Sequence, residues 1–191
     1  MARPPRLLAA GAFYHVTCRG VRKLPIYETD RDRTLFLALL RLTLRRYRWR
    51  CHTYCLMPNH FHLLAETADP NLSHGMHWLN TAYARSFNSR HGYSGHLFDR
   101  RFYSGLLVGD VQFAMRARYI DLNPVRARLC KHPGEWPWSG FRFTVGMARS
   151  SFQTTSTLLS LFGRDPRQAA AEYARFVLDG LELDSFRVED A

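Results

Sequence analysis

Two runs of strand-forming residues, WRCHTYCLM (49–57) and HFHLLAET (60–67), are reversed at Met57, Pro58 and Asn59, and this spacing predicts an antiparallel hairpin. Successive side chains on a strand point to opposite faces, so His60 and His62 share one side while Phe61 and Leu63 take the other. One face is thereby anchored in a core, and the other offers two imidazole nitrogens to one divalent metal. An isolated HxH is more often a strand that happens to carry two histidines. The pair gains meaning from RYIDLNPV (118–125), a segment that reads as helix and places Tyr119 and Asn123 on one face about a turn apart. Core packing would explain Tyr119 alone, and a helix end before Pro124 would explain Asn123 alone. A metal pair with a nucleophile and an amide ligand opposite is a reaction centre.

The chain of 191 residues, 46% hydrophobic, can bury a sizeable core and is expected to form one domain with an appendage, 1–148 and 149–191. Its 27 Lys and Arg against 16 Asp and Glu give a net charge of +11, which favours a polyanionic partner such as nucleic acid. A soluble basic protein without such a partner, or one that meets an anionic membrane surface, is equally compatible with charge alone. The aromatic content of 14%, interleaved with arginine, leans toward bases and phosphates. No apolar stretch approaches the ~18 residues that span a bilayer, and the start MARPPRLLAAGAF is too short and weak for a signal peptide, so a cytoplasmic protein is expected.

The four cysteines, Cys18, Cys51, Cys55 and Cys130, make no compact disulfide framework and are expected as free thiols. Cys51, Cys55, His60 and His62 lie close enough in sequence to suggest zinc, but the histidines are too close together for the usual spacing. Buried small residues on a strand are the better reading of both cysteines.

Around the hairpin, AFYHVTCRG (12–20) suits a first strand, and Asp30 can cap a helix to about Tyr47 with Leu35, Phe36, Leu39, Leu40 and Leu44 on one stripe. Arg33, Arg41, Arg45, Arg46 and Arg48 form its solvated face. Ser73 can cap a second helix to about Arg90, stopped by Gly92; a strand follows from Tyr103 to Val108, and Asp110 then caps the helix that bears Tyr119. Pro124 should end that helix near Asn123. EWPWSGFRF (135–143) can stack bases or clamp the core. A short helix is expected in TTSTLLSLFG, and another begins at Asp165 and Pro166 with Ala169, Ala170, Tyr173, Phe176 and Val177 as its apolar stripe.

The stretches FYHVTCRG, YCLMPNHFHLLAE, LNTAYARSFNSRHGYSGHLFDRRF, RYIDLNPVRA and EWPWS, in this order over roughly residues 11–147, resemble the single-tyrosine HUH transposases, and within them the REP-associated tyrosine transposases of bacteria. SLFGRDPRQAAAEYARFVLDGL is similar to the tail of many relatives. The resemblance implies an α+β fold, an antiparallel sheet flanked by helices with a helical C-terminal tail. It implies His60, His62 and Asn123 as metal ligands for magnesium or manganese, and Tyr119 as the nucleophile that cuts and joins single-stranded or hairpin DNA. One departure is Tyr103, where a lysine is expected in many relatives. Arg100, Arg101, Arg116, Arg118, Arg126 and Arg128 cluster near the expected centre as candidate phosphate contacts. A hairpin-DNA-binding protein that does not cut is the alternative, and a phosphodiesterase that uses water the third. Monomer and homodimer both stay open.

Overall fold

The computed structural model describes residues 8–189, with side chains as far as residue 181. Residues 1–7, the start of the stretch weighed above as a signal peptide, and residues 190–191 lie outside the described residues. Strands β1 (Ala12–Arg19), β2 (Trp49–Met57), β3 (His60–Thr67) and β4 (Tyr103–Leu107) form one antiparallel sheet in the order β2-β3-β1-β4. Around it lie helices α1 (Asp30–Tyr47), α2 (Leu72–His91), α3 (Gly109–Arg126), the single turns α4 (Phe141–Thr144) and α5 (Ser156–Leu159), and α6 (Pro166–Glu189). This is the α+β arrangement expected.

The alternation of side chains along the strands builds two cores. On one face, Val16, Leu56, Phe61 and Leu63 pack with Phe36 and Leu40 of α1 and Met76, Leu79 and Tyr83 of α2. On the other, Cys55, Met57 and Leu64 pack with Phe113, Ala117 and Ile120 of α3, and Tyr173 and Val177 of α6 join them. Fully burying one such side chain contributes roughly 1.5–3 kcal/mol, so the helix layers hold the sheet rigid between them.

A bulge interrupts β2. Cys51 lies opposite Ala65 but Thr53 lies opposite Leu64, leaving His52 as the extra residue. The alternation is reset there: Trp49 and Cys51 share a core with Tyr54 and Leu56, while Cys55 and Met57 join the α3 side. Cys51 and Cys55 therefore sit on opposite faces and cannot hold one zinc ion together. All four cysteines are free.

Several element ends differ from the sequence reading. Thr29, not Asp30, is the N-cap of α1, because the Asp32 carboxylate accepts from both the backbone N–H (2.8 Å) and the hydroxyl (3.1 Å) of Thr29 in a capping box. Helix α2 begins at Leu72 with Asn71 as its N-cap, which leaves Ser73 inside the first turn; Gly92, at φ 69°, ends it as expected. Helix α3 does not stop near Asn123 but runs through Pro124 to Arg126. In the last turn a proline sacrifices only one helical hydrogen bond. The carbonyls of Asn123, Pro124 and Val125 are still capped by the N–H groups of Ala127, Leu129 and Arg128.

The free edge of β2 is covered. Leu56 N–H donates to the Trp138 carbonyl (2.9 Å), Gly140 N–H to the Tyr54 carbonyl (2.8 Å) and Thr154 N–H to the Cys51 carbonyl (2.7 Å). Trp136 Nε1 adds a bond to the Leu56 carbonyl (3.2 Å). The EWPWS segment is thus a clamp on the sheet. Asp165 caps α6 through Gln168 N–H (2.8 Å), and Ala169, Tyr173 and Val177 are fully buried, so the C-terminal helix docks on α3. No helix among the described residues is long and apolar enough to cross a membrane.

Candidate functional site

His60 and His62 lie on the α3 side of β3, opposite Met57 and Cys55 of β2, as the alternation required. Their rings are 4.9 Å apart and nearly perpendicular, at 86°. Helix α3 packs across this face through Phe113, Ala117 and Ile120, and its pitch brings Tyr119 over the histidines. The Tyr119 ring meets His62 edge-on with centroids 5.6 Å apart. Tyr119 is 38% exposed as a residue, so a substrate can approach it. Asn123, one turn later, donates from Nδ2 to the Tyr119 carbonyl (2.7 Å) and lies close enough to His62 to favour its protonated form.

A third histidine completes the group. His15 of β1 is buried, its Nε2 is 2.9 Å from His62 Nδ1, and its ring stacks at 5.1 Å on His62 and meets Tyr119 at 5.9 Å. Sequence reasoning missed it. The only signal was that His15 shares a face with Phe13 and Thr17, and nothing local connects that face to a strand some 45 residues away.

Hydrogen bonding selects the imidazole nitrogens that remain available. His60 Nδ1 lies 2.7 Å from Asn59 Oδ1, so its proton belongs on Nδ1 and the Nε2 lone pair is left for a ligand. His62 Nδ1 is engaged by His15, while His62 Nε2 is buried beside the Asn123 side chain with no hydrogen bond of good geometry. Such an orphan atom is costly, about 1–3 kcal/mol; with the His62 proton on Nδ1 and donated to His15, the Nε2 lone pair would take a cation. Burial and the neighbouring Arg116 charge push His15 down to about 4; burial and Arg19 push His60 down to about 4. Burial, together with the adjoining His15 and His60, holds His62 well below the ordinary histidine range. All three rings are neutral at pH 7, the state a metal ligand requires. Among the described residues no group of three or more His, Cys, Asp or Glu side chains converges as a metal cage. Two imidazoles and an amide, were they to hold an ion, would leave it several positions for oxygen ligands from water and phosphate.

The six candidate arginines divide. Arg116 and Arg126 stand over the Tyr119 ring, their guanidinium carbons 5.4 Å and 5.5 Å from its centre. Arg118 turns the other way, 4.5 Å over the Phe176 ring of α6, and donates to the Phe176 carbonyl (3.4 Å). Arg100, bonded to Asp99 (3.0 Å), and Arg101 are exposed and line a cleft against Ser73, His77 and Asn80 of α2. Arg128 is exposed just beyond α3, at φ 57°. Arg19, absent from the sequence reading, is exposed on β1 directly opposite His60.

Known proteins resemble this chain in sequence and in fold. A Haemophilus influenzae protein provisionally named REP-associated tyrosine transposase is 28% identical over 157 residues, which cover 76% of this chain and 88% of that protein. The structure of a REP-associated tyrosine transposase bound to a REP hairpin superposes with a TM-score of 0.65 at 18% identity, over 76% of this chain and 86% of the other, a likeness of fold. The profile of the IS200-like transposases matches residues 10–123, from β1 through the histidine strand to Asn123 on α3. The chain accordingly belongs to the IS200-like transposase family.

Proposed function

We propose that this protein nicks single-stranded DNA beside a hairpin and transfers the strand through a covalent link to Tyr119, with His60, His62 and Asn123 as ligands for Mg2+ or Mn2+. The observation that carries the reading is the placement of the Tyr119 ring 5.6 Å from His62, whose buried Nε2 has no hydrogen bond of good geometry. The hairpin partner is suggested by the related transposase solved with a REP hairpin.

The Tyr119 oxygen attacks phosphorus in line, the bond from phosphorus to the 3′-oxygen breaks, and a 5′-phosphotyrosine and a free 3′-hydroxyl result. The exposed phenol passes its proton to water, and the departing oxygen takes one up. A bound divalent ion supplies Lewis-acid polarisation of the phosphate. His15 fixes the tautomer and orientation of His62 through the Nδ1 contact, as an outer partner does for a ligating histidine. Arg116 and Arg126, poised over the phenol ring, are placed to pair with the phosphate oxygens that approach it. Because the phosphotyrosine conserves the bond energy, the 3′-hydroxyl of another strand can reverse the step and complete transfer.

The test is a labelled hairpin oligonucleotide with single-stranded flanks, incubated with Mn2+ and run on a denaturing gel. Wild type should give a covalent adduct and Tyr119→Phe none. An adduct that persists in Tyr119→Phe would overturn the assignment of the nucleophile. Tight, salt-sensitive binding with no adduct in wild type would point instead to a hairpin-binding protein that does not cut.

A further inference from the structure

The sheet face that carries the histidines is only partly covered by α3. Its β1–β4 half is open at the end that holds Tyr103 and Arg19, beyond the buried His15 and Leu107. Directly opposed residues of an antiparallel sheet point the same way, and the registers Tyr103↔Thr17 and Thr17↔His62 set these three side chains in one row across β4, β1 and β3. The next rows hold Gly105 opposite His15, and Arg19 opposite His60. Tyr103 is 52% exposed, although its ring belongs to the face that houses the candidate centre. It lies back toward Gly105, where an added Cβ would meet its hydroxyl at 3.4 Å. No side chain at 105 lifts or hides the ring. Arg19 is exposed at the same end, and its carbonyl accepts the Asp99 N–H (3.0 Å), which brings the loop of Arg100 and Arg101 alongside.

We propose that this open half of the face is a subsite for an unpaired nucleotide adjoining the phosphate that Tyr119 attacks, with its base stacked on Tyr103 and its phosphate paired with Arg19. The inference rests on the DNA reading above but assigns residues that the reading does not use. Two strand spacings, about 10 Å, separate the Tyr103 and His62 backbones, within reach of an adjoining nucleotide. An aromatic face beside a cation is the usual means of holding single-stranded nucleic acid, and it tolerates any base because every base has a π face. A duplex, with its bases already stacked on each other, could not use the ring in this way. The subsite therefore selects for strand that is unpaired at the point of cutting.

The experiment uses the full chain carrying Tyr119→Phe, without metal, so that binding is read apart from cleavage. Anisotropy at one fixed salt concentration measures Kd for a fluorescein-labelled hairpin whose flanks are either thymidine or abasic. Replacing Tyr103 with Ala should weaken binding of the thymidine-flanked hairpin by roughly fivefold to a hundredfold, leave the abasic-flanked hairpin almost unaffected, and be rescued by Tyr103→Phe. Arg19→Gln should reduce the salt slope by about one phosphate contact. Equal affinity of wild type and Tyr103→Ala for thymidine flanks, or an equal loss on both hairpins, overturns the subsite while the hairpin reading stands. Failure of the parent protein to bind either hairpin overturns the DNA reading itself, and the subsite falls with it.

Discussion

His15 Nε2 lies 2.9 Å from His62 Nδ1, joining the first strand of the sheet to the third at the centre of the candidate site. In the proposed metal site His15 orients a ligand without being one. Outer partners of this kind typically contribute tenfold to a hundredfold in metal affinity. His15→Ala should therefore weaken Mn2+ binding by about that factor in calorimetric titration, with the fold intact by circular dichroism. Unchanged affinity would remove His15 from the site.

Arg116 and Arg118 are two residues apart and should fail differently. Arg116 stands over the phenol, so Arg116→Ala should flatten the salt dependence of hairpin binding by about one contact with little change in melting temperature. Arg118 covers Phe176, and losing that cation–π contact, about 0.5–2 kcal/mol, should lower the melting temperature by a few degrees and spare the salt slope. Paired salt titrations and thermal melts distinguish the two, and identical behaviour would refute the division.

Asp121 is fully buried, accepting hydrogen bonds from Thr53 (2.7 Å) and Tyr173 (2.6 Å), and burial raises its carboxyl from 3.8 to about 7. The folded state thus holds the proton more tightly than the unfolded state. Its stability contribution is complete below 3.8 and is lost as pH rises through about 7. His15 works in the opposite sense: lowered from 6.5 to about 4, it contributes stability above 6.5 that is lost as pH falls through about 4. In wild type the two slopes oppose each other. Asp121→Asn removes the first, so urea unfolding without metal, compared at about pH 4.5 and about pH 7, should show a steeper rise of stability with pH than wild type. A shallower rise would contradict the assignment.

Gly75 is required by Trp49. A Cβ at 75 would come within 2.2 Å of the indole, which also donates from Nε1 to Asn71 Oδ1 (2.6 Å). Alanine would gain about 1 kcal/mol of helix propensity, yet overpacking of this kind usually costs about 1–3 kcal/mol. Gly75→Ala should be net destabilising in urea titration, and a stabilised variant would show that the indole can move aside.

What the sequence disclosed was what repeats locally. The hairpin, the shared face of His60 and His62, and the turn between Tyr119 and Asn123 follow from periods of two and of about 3.6 residues; the two imidazoles adjoin, the Tyr119 ring lies against His62, and Asn123 bonds to the Tyr119 carbonyl. The partners that depend on distant pairing were hidden. His15 and Arg19 become neighbours of the histidines only through the β1–β3 register. The bulge at His52, which turns Cys51 and Cys55 to opposite faces, leaves no mark in the order of residues. Arg118 looked like its neighbours because helical spacing alone does not say that α6 will lie beneath it.

The contact of Asp121 with Thr53 and Tyr173 ties a strand, the helix of the phenol and the C-terminal helix at one carboxyl group. Heredity should bear its imprint. In a library of variants selected only for folding, replacements at these three positions should survive as matched combinations rather than singly, so drift in the tail is chained to drift in the heart of the molecule.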